Sequence, residues 1–346
     1  MTHWSIDRCR SYLEMTAQRV PDVAACIAWR RGPESWSGAV GCGHTELPTN
    51  SRFSIWSITK TLTAALILQL AARGRIELDS PLAAWLPAVP HADLISIRQC
   101  LQHTSGWSDY GALPEYQTAV RQRETPWSFS EFMDRVHAEN LLFAPGSGWS
   151  YSNIGYMILK KLAETVCEKH FAEILKDEVC DPLGLADTSV IQTREDMLGL
   201  TVGYSLDLSS DGQPVDVRSC YDPGWAPPGF AASTVSEVVR FYDGLFAGQL
   251  LPAHLLGEMC RVKPIGHAHP SFVTPSYGLG LMADPDNRVG LIYGHNGAGP
   301  GYAASAFHIQ PRGARPVTVA VLTNTENWQE VEALTLKVGE ELAAFG

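Results

Sequence analysis

The chain contains 346 residues, of which 45% are hydrophobic and 18% are charged, an ordinary composition for a globular protein with a sizeable core. Its formal net charge of −11 argues against nucleic acid or an anionic membrane surface as a partner, because both bind basic faces. The longest apolar run, from Ala64 to Ala72, is short and broken by Gln69, which argues against a transmembrane helix.

Two features bear on the cell compartment. The N-terminal sequence from Met1 to Arg8 lacks the charged and apolar regions of a signal peptide, so we expect a cytoplasmic protein. The eight cysteines contain no Cys-x-x-Cys pair, which indicates reduced thiols and no zinc site. The sequence carries no signal for an oligomeric state.

The first quarter of the chain is predicted to hold a helix, a hairpin and a second helix. Residues 4–20 have a helical pattern. Two strands at 23–29 and 36–42 flank a Gly-Pro turn and predict a hairpin. The second helix runs from about 57 to 73 and ends before a glycine, a favourable C-terminal cap.

Residues 76 to about 260 are predicted to form mostly helices and long loops. Helices are expected at 130–137 and 155–168, and another begins at Thr234, which has capping-box spacing with Glu237. From residue 277 the pattern returns to strands and closes with a helix. The strands are expected at 277–282, 288–293, 302–309 and 316–323, and the final helix at about 328–344.

The start of the second helix carries a Ser-x-x-Lys sequence, Ser57 and Lys60. At this spacing the two side chains lie on one face, about one turn apart. A hydroxyl is a weak nucleophile until a base takes its proton, and a lysine can do so only when neutral. Burial and the positive end of a helix both favour the neutral amine. The spacing alone occurs by chance, so its context must support the role.

Two further motifs supply that context. Tyr151 and Asn153 form a Tyr-x-Asn sequence 94 residues after Ser57, directly after a Pro-Gly turn. His295 and Gly297 form a His-x-Gly sequence after a further 144 residues, following a strand-like segment.

In this order, the three motifs resemble those of the serine β-lactamase and penicillin-binding protein superfamily. The tyrosine of the second motif points to the class C branch, with its esterases, D-aminopeptidases and D-amino-acid amidases. Additional segments match the family across most of the chain. They lie at 101–106, 182–188 and 229–234.

The resemblance implies an α+β fold in which both chain ends form one antiparallel sheet flanked by helices. Residues 1–75 and 261–346 would form this sheet domain, and residues 76–260 a mainly helical inserted domain. We expect the two to make one integrated catalytic unit that needs no metal or organic cofactor.

The resemblance also implies catalytic roles. Ser57 would attack a carbonyl and form an acyl-enzyme, while Lys60 and Tyr151 would share the proton. The sequence leaves open which of these two is the base. The oxyanion would lie between the backbone N–H groups of Ser57 and Ala298.

Three other residues would serve the substrate or the base. Asn153 would position a substrate amide or Lys60, and Gly297 would leave space for substrate along the strand. His295 stands where β-lactamases and transpeptidases mostly carry a lysine that helps to bind a carboxylate. A histidine is neutral or only partly charged at pH 7, which shifts the expectation away from antibiotic hydrolysis.

Several histidines and tryptophans outside the three motifs could have either a structural or a functional role. His103 is predicted to be a structural turn residue, and His267 and His269 to lie in a loop, because no metal-ligand partner is near them in sequence. Four tryptophans are candidates to line an apolar acyl pocket, although core or loop packing explains each equally well. They are Trp56, Trp149, Trp107 and Trp225.

The predicted function is that of a serine hydrolase cleaving a small ester or amide through an acyl-Ser57 intermediate. An esterase is slightly favoured, because no acidic residue is clearly placed to bind a free amine. A β-lactamase or an acyltransferase would use the same acyl-enzyme. The contrasting class is a ligand-binding sensor without turnover, which the joint presence of Ser57, Lys60 and Tyr151 disfavours.

Overall fold

A computed structural model of the chain describes residue 11 and residues 24–40 and 47–344. The helix predicted at 4–20 therefore lies outside the described residues except for residue 11, which is helical, and so does the end of the strand predicted at 36–42. No helix among the described residues is both long enough and apolar enough to cross a membrane.

The described residues form thirteen strands. They are β1 (Ala25–Arg31), β2 (Glu34–Val40), β3 (Phe53–Trp56), β4 (Ser189–Ile191), β5 (Tyr204–Ser205), β6 (Val215–Asp216), β7 (Phe230–Ser233), β8 (Lys263–Pro264), β9 (Ser276–Tyr277), β10 (Met282–Asp284), β11 (Gly290–Gly299), β12 (Tyr302–Pro311) and β13 (Val317–Thr323).

Twelve α-helical segments lie among them. They are α1 (Thr59–Ala72), α2 (Ile97–Leu101), α3 (Pro114–Arg121), α4 (Phe129–Arg135), α5 (Asn153–Cys167), α6 (Phe171–Leu175), α7 (Asp181–Leu183), α8 (Arg194–Leu198), α9 (Val217–Cys220), α10 (Val235–Phe246), α11 (Ala253–Met259) and α12 (Trp328–Ala344).

The main sheet has eight strands in the order β2-β1-β13-β12-β11-β10-β9-β8, and each neighbouring pair is antiparallel. Every residue of β13 is buried, in keeping with its nearly continuous run of Val, Ala and Leu. Helix α12 packs on β12 and β13, and α10 packs on β1 and β13. Helices thus flank an antiparallel sheet, which confirms the predicted α+β fold.

The strands predicted at 277–282 and 288–293 differ most from those in the structure. The strand expected at 277–282 is two short strands, β9 and β10, because the chain turns at Gly280, whose φ of +76° suits glycine. The strand expected at 288–293 continues to Gly299, because residues 294–299 pair with β12. This extension places the His-x-Gly motif within the strand.

A second sheet, β3-β7-β4, joins segments that are distant in sequence. Strand β3 pairs with β7, which in turn pairs with β4. Strand β3 leads directly into α1, whose residues 59–70 are all buried. A helix that is buried on all sides is typical of a protein core, and α1 places Lys60 inside that core.

Candidate active site

Ser57 occupies the tight turn between β3 and α1. Trp56, just before it, has a φ of +41°, which is uncommon for a residue other than glycine. The turn is fixed by backbone bonds from Ile58 N–H to the Ile55 carbonyl and from Lys60 N–H to the Ser57 carbonyl, both 3.0 Å. The hydroxyl of Ser57 is thereby presented one helical turn from Lys60.

The structure brings together the first two predicted motifs. Lys60 Nζ lies 3.0 Å from Ser57 Oγ, and the Tyr151 hydroxyl donates to the same oxygen over 2.9 Å. Lys60 Nζ also donates to Asn153 Oδ1 over 2.7 Å. Ser57 Oγ is therefore held between an amine and a phenol that can each exchange its proton.

Burial shifts the pKa values of Lys60 and Tyr151 in opposite directions. It lowers the pKa of Lys60 to about 7, although the negative charge of Asp109 opposes the shift. Burial also raises the pKa of Tyr151 well above its usual value, which disfavours the phenolate. At neutral pH a substantial fraction of Lys60 is a free amine, whereas Tyr151 keeps its proton.

Asp109 is a site residue that the sequence analysis did not identify. Its Oδ1 accepts the backbone N–H of Asn153 over 2.7 Å, and its Oδ2 accepts the Asn153 side-chain amide over 3.3 Å. These bonds orient Asn153 toward Lys60. Asp109 follows the predicted turn at 101–106, but no spacing rule links a lone carboxylate to an asparagine 44 residues later.

Ala298 and Gly297 lie on an edge of β11 that β10 leaves unpaired, since β10 reaches only as far as Gly294. An ideal Cβ at Gly297 would lie 2.1 Å from the Ile55 carbonyl oxygen and 3.2 Å from the Ser57 nitrogen. The expected role of Gly297 is therefore corrected: its missing side chain makes room for the serine turn, not for substrate.

The surroundings of His295 agree with the expectation that it carries little positive charge, and they occupy both of its ring nitrogens. Its Nδ1 lies 2.5 Å from the Asn296 carbonyl oxygen, which can only accept, so Nδ1 carries the proton. Its Nε2 accepts from the Tyr277 hydroxyl over 2.9 Å. Burial lowers the pKa of His295 to about 3, with a smaller contribution from Lys60. His295 is thus neutral with both nitrogens occupied, and it offers no positive charge to a substrate carboxylate.

His103 has the structural surroundings that were predicted for it. Its Nδ1 accepts the backbone N–H of Ser152 over 3.1 Å, and its ring lies 4.3 Å from that of Tyr151. Burial holds the pKa of His103 well below its usual value, so the ring is neutral. His103 thus packs against the Tyr-x-Asn segment and holds it through the Ser152 N–H.

Ser57 opens onto two cavities. The larger, about 440 Å³, has mainly apolar walls that include Trp149, Phe272 and Met282. The smaller, about 270 Å³, includes Trp56 and Tyr221 in its walls. Asn153 and Ala298 line both cavities. The arrangement provides separate space for the two halves of a cleaved molecule.

The four predicted tryptophans divide between cavity and core. Trp149 lines the larger cavity and Trp56 the smaller one, as the pocket interpretation requires. Trp107 and Trp225 are fully buried in the apolar core and line neither of these cavities, so their predicted pocket role is wrong. Their packing fills the interior beneath loops that looked exposed in the sequence.

The two neighbouring histidines have different surroundings. The ring of His267 contacts that of Trp149 at 5.6 Å. His269 lines the larger cavity, and its Nε2 lies 3.7 Å from Oε2 of the buried Glu332, a partner that is distant in sequence. In the part of the chain that the structure describes, no three His, Cys, Asp or Glu residues come together as a metal site.

Comparison with known proteins gives a consistent family assignment. Residues 13–343 match the family model described as Beta-lactamase. The chain is 28% identical over 313 residues to penicillin-binding protein 4* of Bacillus subtilis (strain 168), covering 86% of this chain and 66% of that protein. It is 29% identical over 302 residues to esterase EstB of Burkholderia gladioli, covering 75% and 74% of the two chains.

Solved structures agree with this assignment. A D-stereospecific amidohydrolase from Streptomyces sp. is 31% identical with a TM-score of 0.78, covering 92% of this chain and 94% of that one. The D-amino acid amidase from Ochrobactrum anthropi SV3 in complex with D-phenylalanine has a TM-score of 0.80, covering 99% and 98%; at 22% identity it supports the fold alone.

Proposed function

The chain belongs to the β-lactamase family, and we propose that it is a serine hydrolase of small esters or amides with an apolar acyl group. The observation that carries the proposal is the position of Ser57 Oγ, within hydrogen-bond reach of both Lys60 Nζ and the Tyr151 hydroxyl. The relatives named as an esterase and as an amidohydrolase support the same chemistry.

Acylation begins with proton transfer from Ser57 to the neutral amine of Lys60. The serine oxygen then bonds to the substrate carbonyl carbon, and the negative charge moves to the carbonyl oxygen. The backbone N–H groups of Ser57 and Ala298 are the proposed donors to this oxyanion. Among the described residues, no group accepts a hydrogen bond from the Ser57 backbone N–H. This N–H is therefore available to bind the oxyanion.

Collapse of the intermediate breaks the bond to the leaving group, which needs a proton. Tyr151 supplies it and is reprotonated from the Lys60 ammonium, because its raised pKa makes the phenol the stable form. In deacylation, water attacks the carbonyl carbon of the acyl-enzyme in place of the leaving group. The proton transfers of acylation then run in reverse and return a proton to the Ser57 oxygen. The enzyme then returns to its starting state with Ser57 and Lys60 restored. An acyltransferase would use an alcohol or amine instead of water at this step.

The walls of the two cavities favour an ester over a free amino-acid amide. Neither cavity has an aspartate or glutamate among its described lining residues, so nothing there pairs with a substrate ammonium. Both oxygens of the nearby Asp109 already accept bonds from Asn153. The neutral His295 likewise disfavours the carboxylate of a β-lactam. We also propose a cytoplasmic location, because the six described cysteines are free thiols.

The test is intact-mass measurement after mixing the protein with 4-nitrophenyl butyrate, beside the variants Ser57→Ala and Ser54→Ala. Ser54 is buried three residues earlier, and no described residue forms a hydrogen bond with its hydroxyl, so it is a matched control. We expect an acyl adduct and steady turnover in the wild type and in Ser54→Ala but not in Ser57→Ala. An adduct that also forms in Ser57→Ala would refute the assignment of the nucleophile.

The same assay separates the other functions. Faster cleavage of D-alanine 4-nitroanilide than of the butyrate would replace the esterase proposal with an amidase. Product formed only after an amine or alcohol is added would indicate acyl transfer. Stoichiometric binding with no turnover of any of these substrates would indicate a sensor.

A further inference from the structure

A third cavity, of about 430 Å³, lies beside helix α5 and does not include Ser57. We call it the α5 cavity; its volume falls within the range of about 300–1,000 Å³ that small-molecule sites occupy. Asn153, Met157, Lys160 and Glu164 follow one another on a single face of α5. The last three line this cavity, whereas Asn153 belongs to the active site.

The floor of the α5 cavity is apolar. Met157, Phe171 and Ile191 are buried core residues that also form part of its wall. Phe129, at the same cavity, is 39% exposed, which is high for a large aromatic side chain. A molecule with an apolar body would cover these groups and remove them from water.

The charged residues of the α5 cavity give it an excess of positive charge. Lys160 is largely buried, and no carboxylate among the described residues lies within ion-pair distance of its ammonium group. The ammonium donates a long hydrogen bond, 3.5 Å, to the Pro227 carbonyl. Lys161 adds a second cation, and Glu164 adds one carboxylate, which accepts the Phe171 N–H.

A partly buried ammonium without a counter-ion is costly, and an anion beside it would relieve that cost. Burial lowers the pKa of Lys160, and the negative charge of Glu164 opposes this shift without reversing it. We propose that the α5 cavity binds a small amphiphilic carboxylate, with its carboxylate on Lys160 and its apolar part on Met157, Phe171 and Ile191.

This site adjoins the active site through one loop. Ala226 and Gly229 line both the α5 cavity and the smaller cavity at Ser57. The loop also lies against Lys160, because an ideal Cβ at Gly229 would be 3.9 Å from Lys160 Cδ. A ligand in the α5 cavity would therefore contact the loop that forms one wall of the active site, while remaining outside the space in which Ser57 reacts.

Binding is tested by isothermal titration with 4-phenylbutyrate, with 4-phenylbutanol as the neutral probe of the same shape. We expect the carboxylate to bind at least about tenfold more tightly than the alcohol, and Lys160→Gln to remove that difference. Lys176→Gln is the matched control, because Lys176 pairs with Asp181 on the surface and lies outside the cavity. It should bind as the wild type does.

Two further variants locate the ligand. Ala172→Leu narrows the α5 cavity and should weaken binding, with an unchanged melting temperature showing that the fold is intact. Trp149→Ala alters the larger active-site cavity and should leave binding unchanged. Equal binding by wild type and Lys160→Gln would overturn the proposal. So would binding that Trp149→Ala abolishes, because the carboxylate would then occupy the active site. Neither result depends on whether the protein hydrolyses esters.

Discussion

At the scale of single residues, the proposed chemistry depends on a lysine that is kept partly neutral. Lys60 lies on a buried helix, and its ammonium has hydrogen-bond partners but no direct ion pair among the described residues. The negative charge of Asp109 raises the pKa of Lys60, but by less than burial lowers it. The balance leaves a pKa of about 7, close to the value that best suits a general base at neutral pH.

The first prediction is a pH dependence of esterase activity. Only the neutral amine of Lys60 can accept the Ser57 proton. The value of kcat/KM for 4-nitrophenyl butyrate should therefore increase as the pH is raised through about 7 and decrease as the pH is lowered through it. Lys60→Arg, which stays charged, should lower kcat/KM by roughly 10²–10⁴-fold. A profile that stays flat between pH 6 and pH 8 would show that another group is the base.

The second prediction concerns Asp109 as a positioning residue. Its negative charge raises the pKa of Lys60, so Asp109→Asn should move the acidic limb of the kcat/KM profile to lower pH. The variant should also lose about tenfold in kcat, because Asn153 loses a charge-assisted hydrogen bond that orients it. Asp181→Asn, in a surface pair with Lys176, is the control. A lower rate with an unmoved profile would mean that Asp109 acts only by orienting Asn153 and not through its charge on Lys60.

At the scale of elements, the site depends on the contact between the free edge of β11 and the serine turn. The third prediction is that Gly297→Ala lowers kcat/KM at least about 100-fold, because a Cβ 2.1 Å from the Ile55 carbonyl must push β11, with the proposed oxyanion donor Ala298 N–H, away from Ser57. Gly257→Ala in α11 is the control, since nothing lies within 4 Å of its Cβ position. Near-normal activity of Gly297→Ala would contradict this role of the contact.

The elements also show what the sequence can and cannot predict. Helix α12 and the strands β12 and β13 follow from strong apolar patterns, and the structure places them close to the positions predicted from the sequence. The predicted strand did not include residues 294–299, because this segment is rich in glycine. Its strand conformation depends on pairing with β12. The pairing of Asp109 with Asn153 and of His295 with Tyr277 depends on tertiary contacts, which no local pattern encodes.

At the scale of the whole molecule, residues from three distant parts of the chain must meet at one hydroxyl. The division into a sheet domain and an inserted helical domain stays a prediction, but several contacts cross the predicted boundaries. The small sheet pairs β3 from the first part with β7 from the insertion. One continuous apolar cluster includes Leu66 of α1, Ile158 of α5 and Leu322 of β13. Separate folding of the two parts would break both the sheet and this cluster.

The fourth prediction is therefore that the protein unfolds as one unit, although chains of this length often unfold in steps. Differential scanning calorimetry should show a single transition whose calorimetric and van't Hoff enthalpies agree. A phosphonate that reacts with Ser57 should raise the temperature of that whole transition, because it binds only the assembled site. Ser57→Ala, exposed to the same reagent, should show no shift. Two transitions, of which the reagent moves only one, would mean that the sheet part and the helical part fold independently and that the catalytic site forms when they dock.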